Sequence, residues 1–191
     1  MDVATALAPR LIAPEEAVAL DAHGRTDAAV LVPLFCDAAG ELHAVFTRRR
    51  EDLAKHAGEI SFPGGRRDEG EALQDTALRE ACEEVGLPRD AVAVVGALQP
   101  TPTIVTSYAI YPFVGLIAPG TRWTLSPREV AEVLELPLAD VRAGYGRRRL
   151  VRRGLPLRTD TYVVGENLIW GATARIVGDL LERVEPLLGS P

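Results

Sequence analysis

Apolar and polar positions along this chain repeat with two different periods, and the switch between them marks out the elements. Residues 28–35 (AAVLVPLF) are apolar almost throughout and read as a buried strand. A DAAG turn follows, and ELHAVFTR alternates well enough to be the hairpin partner. RREDLAKHAGE reads as a charged loop, and ISF as a short strand stopped by Pro63, Gly64 and Gly65. The period then becomes helical. Leu78, Ala81, Cys82 and Val85 fall at i, i+3, i+4 and i+7, which predicts a helix over 72–85 with those four on its core face. Gly86 is its C-cap, with Pro88 just beyond.

Beyond that helix, AVAVVGAL and YAIYPFVGLI read as strands joined by a Pro/Thr-rich loop, QPTPTIVTS. EVAEVLELPL is a strand and turn, LADVRA a short helix, GRRRLVRRG a basic hairpin, and TYVVG another strand. Ile169, Ala172, Ile176, Leu180 and Val184 predict an amphipathic helix over 168–188. Residues 1–24 form a helical or irregular lead-in, and 25–191 one domain. Many strands with two or three helices in mixed order indicate an α/β fold with a mixed sheet.

The net charge of −6 disfavours a generic nucleic-acid binder, although a local site can still attract an anion. Cys36 and Cys82 read as two buried thiols in a reducing cytosol, since two cysteines make no disulfide framework. An acid follows Met1, and Pro9, Arg10 and Pro14 interrupt the apolar lead-in, so it does not read as a secretory signal. No apolar run approaches a membrane span. The expectation is a cytoplasmic protein.

The predicted helix places Glu80, Glu83 and Glu84 together, directly after a glycine turn. Like charges at this spacing repel by a few tenths of a kcal/mol per pair, roughly, so a cation is the natural compensation. Arg79 is spaced to clamp Glu83 at i+4. A solvated acidic face would account for the helix alone. Gly64 and Gly65 add close backbone approach and hard carbonyl donors, and three carboxylates plus a carbonyl suit Mg²⁺ or Mn²⁺. Such a site holds the phosphates of a substrate for attack by water.

The spacing of Gly65, Glu71 and Arg79-Glu80-Ala81-Cys82-Glu83-Glu84-Val85-Gly86-Leu87 resembles the Nudix box. Every charged and glycine position of that signature is filled, and Ala81 stands where a larger aliphatic residue is usual. The resemblance implies an α/β/α sandwich that hydrolyses a nucleoside diphosphate linked to another moiety. It implies Glu80 and Glu84 as main metal ligands, Glu83 as a further ligand or water activator, and the carbonyl of Gly64 as another ligand. Arg79 would orient the acids, and Glu71 would be a mostly structural acid at the helix start.

Upstream, Thr47, Arg49, Leu53, His56, Gly58, Ile60, Phe62, Pro63, Gly64 and Gly65 resemble the extension of coenzyme A pyrophosphatases in that family. Arg50 replaces a usual serine and Ala54 a usual arginine. The resemblance implies cleavage of coenzyme A to 4′-phosphopantetheine and 3′,5′-ADP. Arg49, Lys55 and His56 are then substrate-side residues, with the segment from Arg48 to Lys55 contacting the 3′-phosphate. ADP-ribose or NADH is the alternative substrate, and a nucleotide sensor without turnover the alternative function. Glu129, on a separate loop, is read as a base reaching the site. Arg147, Arg148, Arg149, Arg152 and Arg153 read as a solvated surface or a homodimer contact, and Trp170 as a packing residue.

Overall fold

The computed structural model describes residues 3–52, 58–103, 107–152 and 155–188. In chain order the elements are α1 (Val3–Leu7), α2 (Pro14–Ala19), β1 (Thr26–Cys36), β2 (Leu42–Arg49), β3 (Ile60–Ser61), β4 (Gly64–Arg66), α3 (Leu73–Val85), β5 (Ala93–Ala97) and β6 (Thr101–Pro102). They continue with β7 (Tyr108–Leu116), β8 (Val130–Pro137), α4 (Leu138–Ala143), β9 (Tyr145–Arg152), β10 (Leu155–Val164), β11 (Asn167–Trp170) and α5 (Gly171–Val184).

The main sheet has the order β3-β2-β1-β7-β5, with β4 pairing β1, β6 pairing β7 and β8 pairing β2. It is mixed, because β1 runs parallel to β7 and antiparallel to β2 and β4. The near-continuous apolar run of β1 follows from burial on both faces. Ala29, Leu31 and Phe35 pack under α3 with Leu73, Ala77, Ala81 and Val85. Val32 and Leu34 pack on the opposite face with Ile176, Val177, Leu180 and Val184 of α5. The lead-in belongs to both cores, through Leu7 on the α5 side and Ala17 on the α3 side. The result is an α/β/α sandwich with a second, three-stranded sheet, β11-β10-β9, beside it. Among the described residues no helix is long and apolar enough to cross a membrane.

Several elements differ from the pattern reading, among them β6 within the expected Pro/Thr-rich loop and α5, which ends at Val184. Gly64–Arg66 is a strand in place of a strand stop, because its backbone lies against Ala28, Ala29 and Val30 of β1. A side chain at Gly64 would collide with the Ala29 carbonyl at 2.4 Å, so only glycine admits that pairing. The basic run is one arm of a hairpin, and its partner is longer than expected: β9 pairs along its length with β10, of which TYVVG is only the end. Residues 168–170 are strand in place of helix, since Ile169 and Trp170 are paired to Tyr162 and Thr161 of β10. Gly171, at φ 69°, then turns the chain into α5.

The face of α3 also differs. Leu73, Thr76, Ala77, Ala81, Glu84 and Val85 are buried, Leu78 is intermediate and Cys82 is exposed. Cys36 is half-buried, so neither thiol is a core residue. Glu84 is buried because Arg49 and the 124–126 loop cover its edge of the helix. Gly86 takes the left-handed conformation at φ 70° and donates to the Cys82 carbonyl at 3.0 Å. Thr124 and Ser126 then donate to the carbonyls of Val85 and Glu84, at 3.0 and 2.8 Å. The same contact brings the 124–129 loop, and with it Glu129, to the carboxylate end of the helix.

Gly86→Ala places a Cβ 2.8 Å from that of Thr124, in a left-handed backbone. It is expected to lower stability by about 1–2 kcal/mol or more in urea unfolding. An unchanged midpoint would remove the cap from this account.

Candidate active site

Glu80, Glu83 and Glu84 project from the last two turns of α3, beside the β3–β4 loop. Their environments differ sharply. Glu84 is only 5% exposed, Glu80 17% and Glu83 60%. Glu84 accepts the Gly64 N–H at 3.2 Å. Burial pushes its pKa up to about 8, with the Gly64 bond and Arg49 opposing and the acids Glu80 and Glu129 adding to the rise. Glu80 is also raised, first by burial, against the pull of Arg79. Its carboxylate rests where a Gly65 side chain would be, since a Cβ there would lie 2.4 Å from both its Cδ and Oε1.

Arg79 is the hub of the helix start. Its Nε and one terminal nitrogen grip Glu71 at 2.9 and 3.1 Å, while the other terminal nitrogen donates to Glu80 at 2.9 Å. The expected clamp on Glu83 is present, but longer, at 3.3 Å and on an exposed carboxylate. Arg79 therefore holds Glu71 most tightly, Glu80 next and Glu83 least. Glu71 also accepts the Thr76 hydroxyl at 2.8 Å and the Asp68 N–H at 3.3 Å. These donors draw its pKa down to about 2, with Arg79 the main cause. Glu71 thus ties the 68–71 turn to the helix and fixes the guanidinium that positions Glu80.

The sequence placed Arg49 on the substrate side, and the structure places it against the acids. Its two terminal nitrogens lie 3.8 Å from Glu84 and 3.8 Å from Glu129. A register shift between Arg48 and Arg49, where β2 pairs with β8, separates the two directions. Arg48 bonds Glu132 at 3.1 Å and Asn167 at 2.5 Å. Arg50 pairs with Asp52 at 2.6 Å and donates to the Pro127 carbonyl. Glu129, on the turn before β8, is half-exposed and reaches the cluster through Arg49. His56, Lys55 and Leu53 lie outside the described residues.

A cavity of about 790 Å³ opens from this point. Arg49, Gly64, Gly65 and Arg66 line it beside the acids, and Arg147, Arg158, Trp170 and Arg175 line it on the side of β9, β10, β11 and α5. Arg147 and Trp170 therefore face the cavity, where the sequence suggested solvent or packing. That signal was hidden because the pairing of β9 with β10, and of β11 with β10, decides which side chains look inward.

A divalent cation fits these residues. Two desolvated carboxylates with raised pKa lie beside a third and beside a glycine loop, and the cation Arg49 already bridges Glu84 and Glu129. The structure gives Gly64 an N–H contact to Glu84 within the same group. Among the described residues, Asp37, Glu41 and His43 form a tighter set, with ligand atoms within 4.8 Å of one another. There the Asp37 carboxylate accepts the N–H groups of Ala39 and Glu41, at 2.9 and 2.8 Å, which is the work of a hairpin turn.

The burial of Glu84 has a measurable consequence. Between about pH 4.5 and 8 the folded chain keeps a proton that the unfolded chain releases, so stability falls as pH rises through that window. In EDTA, Glu84→Gln is expected to match wild type near pH 4.5 and to exceed it by a few kcal/mol, roughly, near pH 8. Parallel pH profiles in thermal unfolding would contradict the buried carboxylate.

The NUDIX domain profile matches residues 25–154 of this chain. An uncharacterized Nudix hydrolase NudL from Photorhabdus laumondii is 39% identical over 161 residues, covering 83% of this chain and 84% of that protein. An uncharacterized Nudix hydrolase NudL from Cronobacter sakazakii is 42% identical over 156 residues, or 80% of each chain. Among solved structures, a MutT/nudix family protein from Enterococcus faecalis aligns with a TM-score of 0.58 at 15% identity, over 84% of this chain and 62% of that one. A C. elegans Ap4A hydrolase binary complex aligns with a TM-score of 0.51 at 19% identity, over 60% and 82%. Those two likenesses concern the fold, whereas the profile and the sequence relatives settle the membership: the chain belongs to the Nudix hydrolase family.

Proposed function

We propose that this Nudix pyrophosphohydrolase cleaves the diphosphate of coenzyme A or its thioesters, with Mg²⁺ or Mn²⁺ held by Glu80, Glu84, Glu83 and the Gly64 carbonyl. The observation that carries the substrate reading is the cavity beside α3. Five arginines and two acids line it, in a chain whose net charge is −6, which suits a ligand with several phosphates. The Thr47, Arg49, Gly58, Ile60, Phe62, Pro63, Gly64, Gly65 pattern points the same way. Its Thr47 is buried and bonds Ser61, and its Phe62 stacks on Phe46 at 4.5 Å, so part of the pattern is a structural brace for the glycine loop.

Divalent ions at such a site neutralise phosphate charge and acidify water. The chain's own residues do the rest. Arg79, fixed by Glu71, holds Glu80 in place. Arg49 carries a guanidinium on the cavity wall and contacts a phosphate oxygen of the diphosphate. A water attacks one phosphorus, the bond to the bridging oxygen breaks, and a carboxylate takes the water proton. Glu83 and Glu129 are the two carboxylates exposed enough to release that proton to solvent. The products are 4′-phosphopantetheine and 3′,5′-ADP.

The reading is tested by turnover of coenzyme A, ADP-ribose and NADH with Mg²⁺ and with Mn²⁺. Coenzyme A is expected to give the highest kcat/KM. Preference for ADP-ribose or NADH would replace the substrate, and folded protein without turnover on any of them would favour a sensor. Glu84→Gln is expected to lose turnover by about two to three orders of magnitude with the fold retained. Near-wild-type kcat in that variant would end its assignment as a ligand.

A second expectation concerns Arg79. Arg79→Ala releases Glu80 and should lower kcat more than it raises KM, and Glu71→Gln should do the same more weakly. A rise in KM alone would make Arg79 a substrate contact instead.

A further inference from the structure

The far wall of the cavity has a charge pattern that the proposed chemistry does not use. Arg147, Arg158 and Arg175 line it, with Asp160 on the same wall and Glu59 on the β3 side. Asp160 is committed: it accepts the Tyr145 hydroxyl at 3.0 Å and Arg147 Nε at 2.8 Å. Arg175 reaches across to the carbonyl of Pro102. Arg158 has no acid partner among the described residues.

The β9–β10 register gathers positive charge on this wall. Arg147 lies opposite Asp160, but the next pair on the same face sets Arg149 opposite Arg158. Both of these arginines are exposed, and no acid of the described residues pairs with Arg158, so its guanidinium is open to an anion. The first residues of α5, Ala172 and Thr173, line the same wall, and the helix has no side-chain cap. Within the segment from Arg48 to Lys55, which the sequence suggested for the 3′-phosphate, Arg48 and Arg50 are bound to Glu132, Asn167 and Asp52, Arg49 lies against Glu84 and Glu129, and Lys55 lies outside the described residues.

We propose that Arg147, Arg158 and Arg175 form a second anion subsite, which takes a phosphomonoester of the substrate remote from the diphosphate. The inference rests on the cavity being the substrate site of the pyrophosphohydrolase. Arg158 contributes the uncommitted charge, Arg175 closes the mouth from α5, and the Arg147–Asp160 pair sets the width of the subsite. For coenzyme A that group is the 3′-phosphate.

The test has two arms. In turnover, wild type is expected to prefer coenzyme A over dephospho-coenzyme A in kcat/KM by about ten- to a hundredfold, as for one charge-assisted contact. Arg158→Ala should bring that ratio close to one. Arg148→Ala, an equal loss of charge on the opposite face of β9, should keep it. A wild-type ratio near one, or a ratio that survives both Arg158→Ala and Arg175→Ala, overturns the subsite and leaves the hydrolase reading intact. In binding, calorimetry in EDTA compares 3′,5′-ADP with AMP, and the bisphosphate should bind at least tenfold more tightly, roughly, in an Arg158-dependent way. Absence of turnover on coenzyme A together with that preference would sink the substrate and keep the subsite. Equal binding of the two nucleotides would sink the subsite.

Discussion

The desolvation of two carboxylates on one helix is the interaction on which the rest of this structure depends. Glu80 and Glu84 occupy neighbouring turns of α3, and neither is free to seek water. An isolated buried carboxylate costs several kcal/mol unless something compensates it, roughly. The compensation comes from around them: the Gly64 N–H and Arg49 for Glu84, and Arg79 for Glu80. Each of these partners is placed by a different element. β4 brings Gly64, the β2 irregularity turns Arg49 inward, and Glu71 fixes Arg79. The site is therefore a meeting point of strand pairing, loop geometry and helix orientation.

That convergence explains why the glycine loop is a strand. Pairing of Gly64–Arg66 with β1 holds the loop against the helix, and β1 is itself buried between two cores. The Gly86 cap and the 124–126 loop fix the other end of α3. A helix held at both ends can keep a buried carboxyl group in register, which a helix packed only through its apolar face would not do. On the helix so held, Cys82 is exposed and Glu84 is buried.

Much of the fold was legible because its signals are local. The apolar run of β1, the helical period of α3, the Gly86 cap and the β8 alternation all depend on neighbours in sequence. So did the acid set and its glycine loop, whose spacing sufficed to bring Glu80, Glu84, Gly64 and Arg79 together. What escaped depends on pairing between distant segments. Ile169 fits a helical stripe, yet it is a strand residue because β10 offers it a partner. Cys82 fits the apolar stripe of α3, yet Glu84 is buried in its place because the Thr124–Ser126 loop and Arg49 surround that edge. Arg147 and Trp170 became cavity residues only through the β9-β10-β11 sheet. Glu71 looked peripheral because its partner, Arg79, is eight positions away and the bond closes through the turn at Asp68.

The contact between Gly65 and the Glu80 carboxylate tests this account most directly. A methyl group at Gly65 would meet the flexible end of Glu80, so the carboxylate can swing away at little cost to folding, while its position at the site is lost. The measurement is Mn²⁺ affinity of Gly65→Ala by calorimetry, alongside its thermal unfolding. The account predicts a fold within about 1 kcal/mol of wild type and at least a tenfold weaker Mn²⁺ affinity, roughly, in the range of losses for a displaced support of a metal ligand. Unchanged Mn²⁺ affinity in the folded variant would show that the glycine loop does not set the acid site, and would contradict the account.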